Sequence, residues 1–133
     1  MAKPAVFVSR RVAQEALDML EPETELVVWE EYLPPSRDEM LVQARRCVGL
    51  VTMLTDRIDA ELLDQAPHLK AVCNVAVGFD NIDVGEATKR GVLVSNTPSV
   101  LTKTTADFAF ALLMGAARRL GEGERFIHEG RWT

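Results

Sequence analysis

The chain has 133 residues, which is enough for one domain, or for one domain and part of a second. Hydrophobic residues make up 47% of it and charged residues 26%, a composition that predicts a folded, soluble protein and argues against disorder. The 20 acidic residues outnumber the 15 basic ones, and the formal net charge of −5 argues against nucleic acid as a partner. The longest apolar stretch, Phe108 to Ala117, is far shorter than the roughly 20 residues of a membrane span, so we expect no membrane partner either.

The cysteines and the start of the chain indicate where the protein works. Cys47 and Cys73 lack the spacing of metal ligands and lie in apolar runs, so we expect two buried free thiols and neither a disulfide nor a metal site. Free thiols are typical of a reducing compartment. No targeting signal opens the chain, because Arg10 and Arg11 follow soon after the first apolar run. These features predict a cytoplasmic protein.

Short apolar runs alternate with helical patterns through the first three quarters of the chain. This alternation is typical of parallel strands joined by crossover helices. The N-terminal caps of four helices are predicted at Ser9, Ser36, Asp59 and Asp83, and Gly91 suits the left-handed position after the fourth helix. We predict strands, in chain order, at Ala5 to Val8, Leu26 to Trp29, Cys47 to Met53, Lys70 to Cys73 and Val92 to Ser95.

These elements predict an α/β fold. Right-handed crossovers between five strands and four helices favour a doubly wound, flavodoxin-like parallel sheet of strand order 2-1-3-4-5. In such a sheet, ligands bind at the carboxyl ends of the strands. Those ends are predicted at Ser9, at residues 53–55, at residues 74–80 and at residues 96–98.

A long helix is predicted from Thr104 to Leu120, and it is apolar around most of its circumference. A helix of this kind is buried on more than one side. One sheet face can cover only one of its sides, so we expect the other to pack against another helix, domain or subunit. Residues 121–133 are charged, contain three glycines and end without a terminating signal, so the chain has the character of a piece cut from a longer protein.

The most informative segment is the predicted loop from Asn74 to Asp83, at the carboxyl end of the fourth strand. Consecutive backbone amides at Val77 and Gly78 could point outward there and bind a carboxylate. The alternative is an ordinary strand-to-helix turn in which the glycine only permits a tight bend. Spacing alone does not decide between the two interpretations.

Several motifs in unbroken order resemble the D-2-hydroxyacid dehydrogenases. The stretch at residues 50–60 is most similar to the branch of glyoxylate and hydroxypyruvate reductases. The other motifs that carry the resemblance are residues 77–83 (VGFDNID), 91–98 (GVLVSNTP), 104–113 (TTADFAFALL), 117–120 (ARRL) and 130–132 (GRW).

The resemblance implies a two-domain NAD- or NADP-dependent oxidoreductase that reduces small 2-oxo acids to 2-hydroxy acids. By motif matching, the amides of Val77 and Gly78 would bind the substrate carboxylate, and Leu54 would pack over the substrate. Thr105 would contact the nicotinamide side of the cofactor. The alternative for Leu54 is a core leucine at a strand end, and for Thr105 an ordinary hydroxyl in the first turn of a helix. The implied division is a substrate-binding domain at residues 1–99, a hinge and interdomain or dimerisation helix at 100–120, and a truncated tail at 121–133 leading to an absent Rossmann cofactor domain.

The chain lacks most of what such an enzyme needs for turnover. No G-x-G-x-x-G loop follows any predicted strand. The family's catalytic arginine, glutamate and histidine match nothing here, since His68 and His128 lie outside those motifs and are expected at the surface. We therefore expect no catalytic residue in this chain, an inactive isolated fragment, and a homodimer formed through the long helix.

Competing functions differ in what they require. A phosphate-accepting receiver domain needs acidic residues at the ends of the first and third strands, and a flavodoxin needs a hydroxyl-rich phosphate loop after the first strand. Neither is present, since Ser9-Arg10 and Met53-Leu54 hold those places. A stand-alone, non-catalytic domain for oligomerisation or ligand sensing remains the alternative to a reductase fragment.

Overall fold

Five strands of four residues each alternate with helices as far as Asn96 in the computed structural model, which describes residues 2–133. Two helices follow. The described chain separates into two compact units, the first ending at Pro98 and the second running from Ser99 to Thr133. The elements are β1 (Ala5–Val8), α1 (Gln14–Leu20), β2 (Glu25–Val28), α2 (Arg37–Arg46), β3 (Gly49–Thr52), α3 (Ala60–Asp64), β4 (Ala71–Asn74), α4 (Val84–Lys89), β5 (Leu93–Asn96), α5 (Thr102–Ala117) and α6 (Leu120–His128).

The strands of the first unit form one parallel sheet in the order β2-β1-β3-β4-β5, so the predicted fold class and strand order are confirmed. Strand bounds differ slightly from the prediction. β4 and β5 each end one residue later than predicted, at Asn74 and Asn96, because these polar residues continue the ladder beyond the apolar run. The predicted third strand was too long by three residues, Cys47, Val48 and Met53.

The two faces of the sheet differ in their cover. One face packs against α2, α3 and α4, and Phe7, Leu50 and Val72 on it are almost completely buried. On the opposite face, Cys73 is exposed, as are the neighbouring residues of β5 that share that face. The expectation of two buried thiols was therefore wrong for Cys73, since strand alternation turns it away from the helix-covered core. Cys47 is buried, and both cysteines are free.

Side-chain caps begin three of the four helices as predicted. Each capping oxygen accepts a hydrogen bond from the backbone N–H three residues later, which satisfies one of the free amides of the first turn. Gly91 has φ +70°, the left-handed conformation predicted for it after α4. The three caps are Ser36 for α2, Asp59 for α3 and Asp83 for α4.

The predicted cap at Ser9 was wrong. α1 begins later, after Ala13, and has no side-chain cap. The Ser9 hydroxyl is completely buried and instead donates a hydrogen bond to the carboxylate of Asp56. A partner distant in sequence has thus taken the hydroxyl that a local cap would use.

The second unit consists of α5 and α6. α5 covers residues 102–117 in place of the predicted 104–120, and α6 covers most of the segment for which the sequence predicted only a charged tail. Gly121 and Gly123 lie within α6. Arg119, between the helices, has the left-handed φ of 53°, which ends α5. None of the residues of α5 is buried, and the expectation that a further helix, domain or subunit covers it stays a prediction.

Two classes of site have no support in the described part of the chain. None of the helices between residues 2 and 133 combines the length and apolar character that a membrane crossing requires. The same residues contain no group of three or more histidine, cysteine or acidic side chains placed to hold a metal ion.

Candidate functional site

A row of three polar side chains ends the helix-covered face of the sheet. Thr52, Asn74 and Asn96 are the last residues of β3, β4 and β5 and are paired across the ladder. Paired residues of neighbouring parallel strands point to the same face. Thr52 and Asn74 are 0% and 1% exposed, so their polar atoms need partners inside the protein. The core face is therefore apolar along its length and polar at the edge where ligands bind.

Three carbonyl groups of residues 75–80, which we call the amide loop, accept hydrogen bonds at this edge. Asn96 Nδ2 donates to the carbonyl oxygen of Val77 at 2.7 Å, and Asn74 Nδ2 donates to that of Gly78 at 3.0 Å. The backbone N–H of Thr97 donates to the carbonyl of Ala76 at 2.9 Å. Three consecutive peptide groups are thus fixed by their carbonyl oxygens.

Fixing these carbonyls also fixes the amides of the next residues. The described residues contain no cis peptide bond, and in a planar trans peptide the C=O and the following N–H point in opposite directions. The bonds to the carbonyls of Ala76 and Val77 therefore orient the N–H groups of Val77 and Gly78. Neither N–H donates to any acceptor in the described chain. Both are oriented donors available to a ligand.

Gly78 is the one glycine of the amide loop. Its φ is not in the left-handed region, so the loop does not use the backbone conformation that favours glycine. A Cβ built on it would lie 3.4 Å from Asp80 Oδ2, at the short end of an ordinary contact.

The turn after β3, residues 53–58, presents Leu54 beside this edge, and we call it the Leu54 turn. Leu54 is 69% exposed, so it is not the core leucine that was the alternative interpretation. Asp56 holds the turn from within. Asp56 is 4% exposed, and its carboxylate accepts hydrogen bonds from the Met53 N–H at 2.8 Å and from the Ser9 hydroxyl. Arg10 Nη2 lies 3.5 Å from Asp56 Oδ1.

The groove beside the Leu54 turn has charged groups of both signs. It has a volume of about 550 Å³ and is lined by Asp59, Asp80, Asp83 and Arg57 among others, with Arg57 Nε 2.9 Å from Asp59 Oδ2. Burial raises the pKa of Asp59, but hydrogen bonds from Arg37 and the Leu62 N–H outweigh it, so the net pKa is lowered and the carboxylate stays ionised.

The residues present do not form a dinucleotide site. No strand in residues 2–133 leads into a glycine-rich phosphate loop, and the closely spaced Gly121 and Gly123 lie inside α6. Thr105 is exposed in the first turn of α5 and lies in the second unit. His68 and His128 are both exposed, as expected.

The sequence predicted the carboxyl edge that carries the amide loop and Leu54, and the binding roles of Leu54, Val77 and Gly78 stay predictions. It placed Ser9, Asn74 and Asn96 at this edge but did not predict their hydrogen bonds. A signal for the polar row was present, since β3, β4 and β5 each end on a polar residue at an inward position of the two-residue alternation. Nothing local signals the bond between Ser9 and Asp56, which are 47 residues apart. The other side chains that hold the two segments, for which no role was predicted, are Arg10, Thr52, Asp56 and Asn81.

Comparisons with known proteins agree with one another. The family profile described as "D-isomer specific 2-hydroxyacid dehydrogenase, catalytic domain" matches residues 6–122. A curated glyoxylate reductase from Korarchaeum cryptofilum is 53% identical over 130 residues, which cover 98% of this chain and 39% of the relative. The crystal structure of the TT0316 protein from Thermus thermophilus has a TM-score of 0.84 and 39% identity, over 97% of this chain and 42% of that one.

A second solved structure adds ligands to the comparison. The NADPH-dependent glyoxylate/hydroxypyruvate reductase from Sinorhizobium meliloti, in complex with NADP and malonate, has a TM-score of 0.70 and 31% identity. The match covers 98% of this chain and 40% of that one. The chain thus spans about two fifths of the proteins it matches, and the profile match over most of its length shows that it belongs to the family of D-isomer specific 2-hydroxyacid dehydrogenases.

Proposed function

We propose that this chain is the carboxylate-binding part of a reductase that converts glyoxylate- or hydroxypyruvate-type 2-oxo acids to 2-hydroxy acids. The observation that carries the proposal is the amide loop, where the N–H groups of Val77 and Gly78 are oriented and donate to no acceptor in the described chain. Such donors bind a carboxylate without a charged side chain. The exposed Leu54 would pack over the small carbon skeleton.

The relatives support this assignment of substrate and cofactor. The curated relative is named a glyoxylate reductase, and the Sinorhizobium meliloti enzyme was solved with malonate, itself a small carboxylate, and with NADP. The whole protein would take a hydride from NADH or NADPH bound by residues outside this chain. Thr105 is the one residue here that we assign to the nicotinamide side. The two free thiols fit the reducing cytoplasm, which we propose as its location.

An NMR titration of the ¹⁵N-labelled chain with oxalate and with glyoxylate tests the carboxylate site. We expect the amide resonances of Val77 and Gly78 to shift, with a dissociation constant no tighter than about 1 mM, because no cationic side chain in the described loop supports the amides. No shift at about 50 mM ligand would refute carboxylate binding at this loop.

Two glycine variants provide a matched comparison. Gly78→Ala places a methyl group over the proposed site, and Gly85→Ala adds one in α4; in both, the new Cβ lies 3.4 Å from an aspartate oxygen. Neither residue has a left-handed φ, so both variants should fold at least as stably as the unmodified chain. Oxalate binding should weaken only in Gly78→Ala. Equal binding by both variants would place the ligand elsewhere.

The isolated chain should not catalyse reduction, because the described residues provide no dinucleotide site and match none of the family's catalytic arginine, glutamate and histidine. Incubation with glyoxylate and NADH or NADPH should give no cofactor oxidation above background. Activity that follows the chain through purification would contradict this. The alternative function, a non-catalytic domain that senses a ligand, predicts a different result. The chain would bind a carboxylate, but the full-length protein would show no activity with glyoxylate and reduced cofactor.

A further inference from the structure

A pair of side-chain amides joins the two segments of the candidate site. Asn74 Nδ2 donates to Asn81 Oδ1 at 3.0 Å, and Asn81 Nδ2 lies 3.3 Å from Asn74 Oδ1. Asn74 belongs to the strand that leads into the amide loop, and its other N–H bond goes to the Gly78 carbonyl. Asn81 follows the same loop. The pair thus joins the residue before the amide loop to the residue after it.

The same pair extends to the Leu54 turn. Asn81 Nδ2 donates to the carbonyl oxygens of Asp56 at 2.8 Å and Met53 at 3.1 Å, at the two positions flanking Leu54 and Thr55. The backbone carbonyl oxygen of Asn81 in turn accepts a hydrogen bond from the backbone N–H of Ile58 at 2.9 Å. One asparagine therefore connects the turn that carries Leu54 with the loop that carries the amides.

The bonding capacity of Asn74 is fully used. Its two N–H groups go to Gly78 and Asn81, and its oxygen accepts from the Thr52 hydroxyl at 3.0 Å. At 1% exposure, no water can replace a lost partner without opening the structure. A saturated, buried amide has one favoured orientation, and through Gly78 it fixes one peptide plane of the amide loop.

We propose that Asn74 and Asn81 are positioning residues that hold the amide loop and the Leu54 turn as one rigid unit. A 2-oxo acid would then find the N–H donors for its carboxylate and the Leu54 side chain at a fixed distance from each other. This inference rests on the proposed function for the identity of the ligand, but the mechanical coupling of the two segments does not depend on it.

Asn81→Ala tests the coupling, with Thr24→Val as the matched control. Asn81 is only partly buried, so water can solvate its former partners and the chain should stay folded. Thr24 is also partly buried, and Thr24→Val removes a hydrogen bond from its hydroxyl to the Leu20 carbonyl at 2.7 Å, between α1 and β2 and outside both segments. Without ligand, Asn81→Ala should raise the amide hydrogen-exchange rates of Ile58 and Asp83 by about tenfold, and Thr24→Val should leave them within about twofold of the unmodified chain. Unchanged rates in Asn81→Ala would overturn the coupling.

Oxalate titration then separates positioning from mere structural support. We expect Asn81→Ala to weaken oxalate binding by about fivefold or more, and Thr24→Val to leave it unchanged. Faster exchange in Asn81→Ala with unchanged oxalate affinity would overturn the positioning role. If the unmodified chain bound no oxalate, the proposed function would fail, and the exchange rates alone would decide whether the two segments are coupled.

Discussion

The buried carboxylate of Asp56 gives the sharpest prediction about stability. Asp56→Ala leaves the Ser9 hydroxyl, which is 0% exposed, without its acceptor and also frees the Met53 N–H. Each buried donor left unsatisfied costs about 1–3 kcal/mol, and the Met53 N–H is only partly buried, so we expect the two together to destabilise the chain by about 2–4 kcal/mol. The Arg10 side chain is 18% exposed and lies 3.5 Å from the Asp56 carboxylate, so leaving it without this partner adds to the cost.

Urea unfolding followed by tryptophan fluorescence measures this loss. Trp132→Phe as the background leaves Trp29, in the first unit, as the one tryptophan. With a slope of about 1–3 kcal/mol per molar urea, the Asp56→Ala midpoint should fall by roughly 1–2 M. Asp56→Asn keeps an oxygen that can accept from the Met53 N–H. Its urea midpoint should lie between those of the unmodified chain and Asp56→Ala.

The control is Asp18→Asn, which alters an exposed carboxylate on α1 that accepts only from Gln14. It should change stability by no more than about 0.5 kcal/mol. Equal midpoints for Asp56→Ala and Asp18→Asn would show that the buried carboxylate contributes nothing, and the account given of the Leu54 turn would then be wrong.

Three further outcomes are expected. Hydrogen bonds from Arg90 and then Lys89 lower the pKa of Glu86 from 4.5 to about 2, so the stability that this group adds is complete above pH 4.5 and is lost as the pH falls towards 2. Glu86→Gln should therefore reduce the dependence of the unfolding free energy on pH in this range, and an unchanged dependence would refute the contribution of Glu86. A thiol reagent should label Cys73 in the native chain but Cys47 only after unfolding, since burial raises the Cys47 pKa and keeps the thiol protonated; native labelling of Cys47 would contradict its burial. Phe108 and Leu112 are 64% and 58% exposed, so we expect α5 to mediate a homodimer. The double variant Phe108→Glu, Leu112→Glu should be a folded monomer. Light scattering that shows the unmodified chain as a monomer at about 50 µM would exclude the dimer.

The sheet could be predicted from sequence because its signals are local. Apolar runs of strand length, capping residues at Ser36, Asp59 and Asp83, and the glycine at position 91 each act within a few residues. The strand ends were less accurate. An apolar run ends where hydrophobicity ends, whereas the ladder continues to Asn74 and Asn96 because backbone hydrogen bonds do not depend on side-chain polarity.

The candidate site could be predicted only in part, because not all of its signals are local. A glycine in a strand-to-helix loop indicates Val77 and Gly78. The side chains that orient the amides of these residues bind backbone carbonyls, and which carbonyl an asparagine will bind cannot be predicted from the sequence. Ser9 shows the opposite error, since a serine after a strand is a common helix cap and only the folded chain brings Asp56 to it. The exposure of α5 was also beyond local reasoning, because an apolar sequence does not specify what covers it.

The parallel bridge between Ile58 and Ile82 has a consequence for how this edge can change during evolution. The bridge is a second fixed pairing beyond the one between Thr52 and Asn74, so the segments between these two pairings are closed at both ends. An insertion or deletion in either segment would have to be accommodated without moving the two pairings. Surface loops usually tolerate changes of length, but here new ligand preferences should arise by substitution at exposed positions such as Leu54 and Phe79, with both segment lengths retained.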